Sequence, residues 1–167
     1  MTHDELRLLA MRVLKRNRYR KGVLHHIGFG CGLILSELVS SLSPEIPDAI
    51  GWSSGRSILI ECKTSRSDFL ADAKKPHRQA GEGPGETRYF MTPSGLVAPA
   101  ELPEGWGLLE VDERQQVKLV VTAPRRHLNT EGHRSEKAML LSTLRRIRTR
   151  EFLIISAEHL EATLDGK

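Results

Sequence analysis

Residues 47–63 constrain the fold more than any other stretch of the sequence. Two strand-like runs, Pro47-Asp48-Ala49-Ile50-Gly51-Trp52 and Ser57-Ile58-Leu59-Ile60-Glu61-Cys62-Lys63, are separated only by Ser53-Ser54-Gly55-Arg56. A connection this short joins antiparallel neighbours, so the spacing predicts a hairpin in which Gly55 can take positive φ and Ser54 and Gly55 can form a two-residue loop. Pairing centred on that loop sets Asp48 opposite Glu61. Three consecutive apolar residues, Ile58, Leu59 and Ile60, require cover on both faces of the sheet, which marks the second run as a central strand.

Around the hairpin the signals alternate between helix and strand. Leu6, Leu9, Ala10, Val13 and Leu14 fall at helical spacing within residues 3–17, with Thr2 or Asp4 available to cap and Arg7, Lys15 and Arg16 expected on the outer face. Residues 33–42 fit either period, and the glycines at 28, 30 and 32 with the serines at 40, 41 and 43 favour a short strand. After Lys63, Ser65 or Ser67 can cap a helix through Asp68, Phe69, Leu70 and Ala73 that stops near Pro76. The stretch from His77 to Glu86 reads as a polar, Gly-rich loop. Strands are expected at Thr87–Thr92, Trp106–Val111 and Val117–Val121. Pro124 marks a boundary, followed by a helix over Glu136–Ile147 and a second apolar segment over Phe152–Leu160.

Composition narrows the class. A chain of 167 residues with 39% apolar and 28% charged side chains can bury about two-thirds of its unfolded surface, so it needs neither disulfide nor structural metal to hold a core. Apolar runs are far shorter than the roughly 20 residues of a membrane span, and the charged amino end does not resemble a signal peptide. No membrane association and a cytoplasmic location are expected. Cys31 and Cys62 lack the spacing of a metal motif and should be reduced thiols. The net charge of +4 is unevenly spread: residues 1–21 and 124–150 are strongly basic, whereas residues 22–123 carry nine basic against thirteen acidic side chains.

The acidic middle contains the chemistry. On a strand, side chains two apart share a face, so Glu61 and Lys63 project together with Asp48 across the hairpin. Two carboxylates at close range repel each other and resist desolvation unless a cation lies between them. Two carboxylates, the Cys62 backbone carbonyl and waters form an all-oxygen set suited to Mg2+ or Mn2+. A metal to neutralise a phosphate and acidify water, and a fixed ammonium to orient that water, are what phosphodiester hydrolysis requires.

Pro47-Asp48, a spacing of twelve residues, and Glu61-Cys62-Lys63 in an apolar strand resemble the PD-(D/E)xK nuclease superfamily. The order of elements from residue 3 to residue 92 is similar to its core. The run from Ile60 to Asp72 also resembles small bacterial and prophage-borne members, including a group linked to DNA repair. The resemblance implies an α/β fold with a restriction-endonuclease-like core, in which helices flank a central mixed β-sheet. Residues 1–123 would form that core and residues 124–167 a basic helical C-terminal extension. It implies metal-dependent cleavage of DNA, double-stranded or branched, with Asp48 and Glu61 as metal ligands and Lys63 orienting the water. A homodimer is a further possibility, because in such enzymes one site cuts one strand. Superfamily members often add an acid from the first helix or strand. Glu37, flanked by apolar residues, is preferred over Glu5, which lies near the start of the first helix.

Other charged residues suggest backbone contacts. Lys74, Lys75, Arg78 and Gln79 follow the helix after the site, Arg145 and Arg146 lie on the C-terminal helix, and His127 and His133 sit among Arg125, Arg126 and Arg134. His25 and His26 read as ordinary histidines, and Trp52 and Trp106 as core anchors. A non-catalytic DNA-binding accessory protein that keeps the nuclease fold is the alternative; its binding would survive chelation.

Overall fold

The computed structural model describes residues 1–16, 27–37, 46–73, 75 and 83–146. The elements are α1 (His3–Lys15), β1 (Leu33–Leu35), β2 (Ala49–Ser53), β3 (Arg56–Cys62), α2 (Arg66–Ala73), β4 (Thr87–Pro93), β5 (Trp106–Val111), β6 (Val117–Val121) and α3 (Thr130–Arg146). The six strands form one sheet in sequence order. β1, β2 and β3 run antiparallel, β3, β4 and β5 are parallel, and β6 returns antiparallel, so the sheet is mixed. The protein is therefore α/β, with helices on both faces of the sheet.

The period-two alternation of β3 divides the core. Ile58, Ile60 and Cys62 join Leu6, Leu9, Ala10, Val13 and Leu14 of α1 on one face. Leu59 joins Phe69 of α2, Phe90, Trp106, Leu108 and Met139 of α3 on the other. Each fully buried Leu or Val contributes roughly 1.5–3 kcal/mol, so the α1 stripe alone makes that helix a fixed layer. α1 begins with a capping box: Thr2 Oγ1 accepts from Glu5 N–H at 3.2 Å and Glu5 Oε2 accepts from Thr2 N–H at 2.7 Å. Its last carbonyls are satisfied by the returning chain, as Phe29, Gly30 and Cys31 donate to Val13, Arg16 and Leu14. Gly51 permits this close approach, since a Cβ there would lie 2.7 Å from Cys31 Sγ.

On the opposite face Phe90 stacks on Trp106 at 4.4 Å and meets Phe69 edge-on at 5.0 Å. α3 starts six residues before the expected Glu136 and contributes buried Ala138 and Met139. Glu136 is its polar tie: the carboxylate accepts from Trp52 Nε1 (2.9 Å), Ser57 Oγ (2.6 Å) and Gly85 N–H (2.9 Å). Gly85 has φ of +87° and a Cβ there would meet Leu59 Cβ at 2.7 Å, so only glycine fits. The hairpin register is as expected, with Ala49 opposite Ile60 and Ser53 opposite Arg56. Gly55 does not take positive φ. No helix among the described residues is long and apolar enough to cross a membrane. The expected segment Phe152–Leu160, and His25 and His26, lie outside the described residues.

Candidate active site

The site lies where β3 ends. Lys63 leaves the strand but keeps its ladder bond, its N–H donating to Met91 O at 3.0 Å, so its side chain continues on the face of Glu61. Cys62 points the opposite way into the α1 core, leaving only its backbone to the site. Asp48 precedes β2, in the position that continues the register opposite Glu61. Its Oδ2 accepts the Cys62 N–H at 2.7 Å, taking the place of a ladder carbonyl, and its Oδ1 lies 3.3 Å from His3 Nε2. Its backbone carbonyl accepts from Ser36 Oγ at 2.9 Å, and Ser36 in turn accepts from Arg7 Nη1. Asp48 is thus held from both sides by backbone and by the first turns of α1.

Glu61 is 3% exposed and Lys63 7%. Lys63 Nζ lies 3.8 Å from Glu61 Oε2, 3.6 Å from Asp72 Oδ1 and 3.9 Å from Asp68 Oδ2. Burial pushes the Glu61 carboxyl well above the usual range, Asp48 pushes it the same way, and Lys63 opposes them. Folding therefore holds at this position an acid whose charged form needs more positive charge nearby. Asp48, Glu61 and the Cys62 carbonyl offer oxygen alone, the donor chemistry of Mg2+ or Mn2+.

Glu37 is not beside Glu61 and Lys63; its carboxylate lies within 4.8 Å of the His3 and Asp4 side chains. The chain turns at Glu37, which has φ of +48° and is exposed, and its carboxylate pairs with Arg7 Nη1 at 3.2 Å rather than with Lys63. The expectation of a buried acid between Leu35 and Val39 fails because β1 stops at Leu35, so strand alternation no longer aims the side chain inward. Arg7 is likewise drawn off the outer face of α1 by Glu37, Asp4 and Ser36. Glu5 is used in the capping box.

Of the residues expected to touch nucleic acid, Lys74, Arg78 and Gln79 lie outside the described residues. Lys75 is half-exposed and pairs with Asp72 at 2.5 Å. Arg145 and Arg146 are exposed in the last turn of α3. Arg125 and Arg126 serve the fold: Arg125 binds Glu86 and Gly55 O, and Arg126 gathers the carbonyls of Gly83, Pro84 and Gly85. Three neighbours of the site were not anticipated. Asp68 and Asp72 carried a signal, being acids four apart on a helix that starts just after Glu61-x-Lys63. His3 carried none, since only tertiary packing brings it to Asp48.

No family model matches the chain, and no curated protein does. Among solved structures it is similar to the SPO1766 protein of unknown function from Silicibacter pomeroyi, at 27% identity and a TM-score of 0.49, over 68% of this chain and 75% of that one.

Proposed function

We propose that this protein is a metal-dependent nuclease of the PD-(D/E)xK type, with a restriction-endonuclease-like core, that hydrolyses phosphodiester bonds in DNA, as an endonuclease of phage, prophage or DNA-repair context. The observation that carries this reading is the buried Glu61 carboxylate set beside Asp48, with the Lys63 ammonium 3.8 Å away. A cluster with this much buried negative charge costs stability in a purely structural role, which suits a site built to receive a cation.

Asp48, Glu61 and the Cys62 carbonyl would hold Mg2+ or Mn2+. Once bound, such an ion neutralises phosphate charge and lowers the pKa of a coordinated water. The remaining work falls to the chain itself. Asp48 is fixed in place by the Cys62 N–H on Oδ2, while its Oδ1 lies 3.3 Å from His3 Nε2, so both carboxylate oxygens have set directions. The Lys63 ammonium donates hydrogen bonds, orienting the attacking water and stabilising the charge that builds on the phosphate oxygens. Sheet and α2 keep Glu61 and Lys63 out of bulk water, which strengthens the interaction between them.

The test is cleavage of supercoiled plasmid and branched DNA with Mg2+, Mn2+ or EDTA, by the wild type, Lys63→Ala and Asp48→Asn. Metal-dependent cleavage that falls by about 100-fold or more in each variant is expected. Cleavage by the variants at the wild-type rate overturns the assignment. A second reading, a DNA-binding accessory protein without catalysis, is favoured by the exposed Arg145 and Arg146 in the last turn of α3. It calls for DNA binding that persists in EDTA and in Lys63→Ala, without cleavage under any condition.

A further inference from the structure

We propose that Asp72 is a positioning residue for this site: its buried carboxylate fixes the Lys63 ammonium beside Glu61 and shares its charge with Lys75. The role in the reaction rests on the nuclease reading above; the hold on Lys63 does not.

Three carboxylates surround Lys63 Nζ, and they are not equivalent. Glu61 belongs to the ligand set and Asp68 is half-exposed, where solvent weakens its pull. Asp72 is 1% exposed, and its Oδ1 makes the shortest of the three approaches, 3.6 Å. Its placement is rigid. Phe69, three residues earlier on the same face of α2, is fully buried in the core against Phe90, so the helix cannot rotate without breaking that contact. Ser65 fixes where α2 begins, its Oγ accepting the Asp68 N–H at 3.2 Å. Helix phase, set by a core aromatic and a cap, thus places a buried anion over the end of β3.

Lys63 needs such an anchor. A lysine side chain has four rotatable bonds and no intrinsic direction, and a water-orienting ammonium must be held within a fraction of an ångström. Glu61 alone would not serve, because a bound cation competes for the same carboxylate. Asp72 supplies a partner outside the ligand set. Lys75, 2.5 Å from the same Oδ1, limits the excess negative charge and links the buried pair to the half-exposed surface beyond α2. The arrangement resembles that of a ligand or catalytic group oriented by a partner behind it, with an ion pair at 3.6 Å as the tie.

Asp72→Asn keeps the size and removes the charge, and Asp72→Ser provides a second variant should the first fail to fold. Asp68→Asn is the control for a nearby but exposed acid. One readout is independent of activity: lysine acetylation followed by mass spectrometry, with the exposed Lys118 as the reference amine. Lys63 should label slowly in the wild type and in Asp68→Asn, and at a rate approaching that of Lys118 in the folded Asp72 variants. In cleavage assays kcat should fall about 10- to 100-fold in Asp72→Asn with KM changed less than about twofold, and Asp72→Asn should add nothing to Lys63→Ala. Unchanged Lys63 labelling in the Asp72 variants, or an equal rise in Asp68→Asn, overturns the proposal, as does faster labelling with undiminished kcat. If the wild type cleaves no nucleic acid but labelling responds as expected, the nuclease reading fails while the hold of Asp72 on Lys63 is upheld.

Discussion

Glu61 shows how much a single residue's meaning depends on its surroundings. In the sequence it is one half of a common charged pair on a strand; in the fold it is an acid 3% exposed whose charged form is opposed by burial and by Asp48. The sign of the consequence is definite. An acid with a folded pKa above its unfolded value of 4.5 binds more protons when folded, so it lowers stability as pH rises from about 4.5 through the folded value. In chelator, Glu61→Gln should therefore gain stability relative to the wild type as pH increases from 5 to 8, measured by denaturant unfolding at each pH. Parallel stability curves for the two proteins would show that Glu61 is not a strained acid. Glu37 illustrates the reverse. Its apolar neighbours suggested burial, but a positive φ at the end of a three-residue strand turns it outward to Arg7.

At the scale of elements, the hairpin was legible because pairing is a counting rule once the loop is located, and the strands at Trp106–Val111 and Val117–Val121 were legible from alternation bounded by turn residues. The detail of the turn was not, since Gly55 tolerates positive φ without requiring it. The start of α3 was also missed. Thr130 to Ser135 carry little apolar periodicity, and the helix is extended there by tertiary ties, with Gly132 and Ser135 buried against the body of the protein. Glu136 is the principal polar tie of that helix, receiving Trp52, Ser57 and Gly85. Glu136→Ala leaves three donors without their acceptor and should cost about 3 kcal/mol in urea unfolding. A loss of less than about 0.5 kcal/mol would mean that water replaces the carboxylate freely.

At the scale of the whole molecule, the uneven charge resolves into separate uses. Part of the basic content serves the fold, as Arg125 and Arg126 do in pinning residues 83–86, while Arg145 and Arg146 remain exposed at the end of α3. If these two contact nucleic acid backbone, Arg145→Ala/Arg146→Ala should weaken binding across sequences and flatten the dependence of log K on log salt by about 0.9 per lost phosphate contact, read by fluorescence anisotropy. An unchanged salt slope would remove them from the interface. The sequence by itself determined the hairpin register and therefore the place of Asp48 opposite Glu61, because strand period and loop length are local quantities. Only the tertiary structure decided which acids close around Lys63. His3 and Asp72 reach the site through the seating of α1 and α2 on opposite faces of the sheet, and that seating is set by side-chain packing between segments distant in the chain.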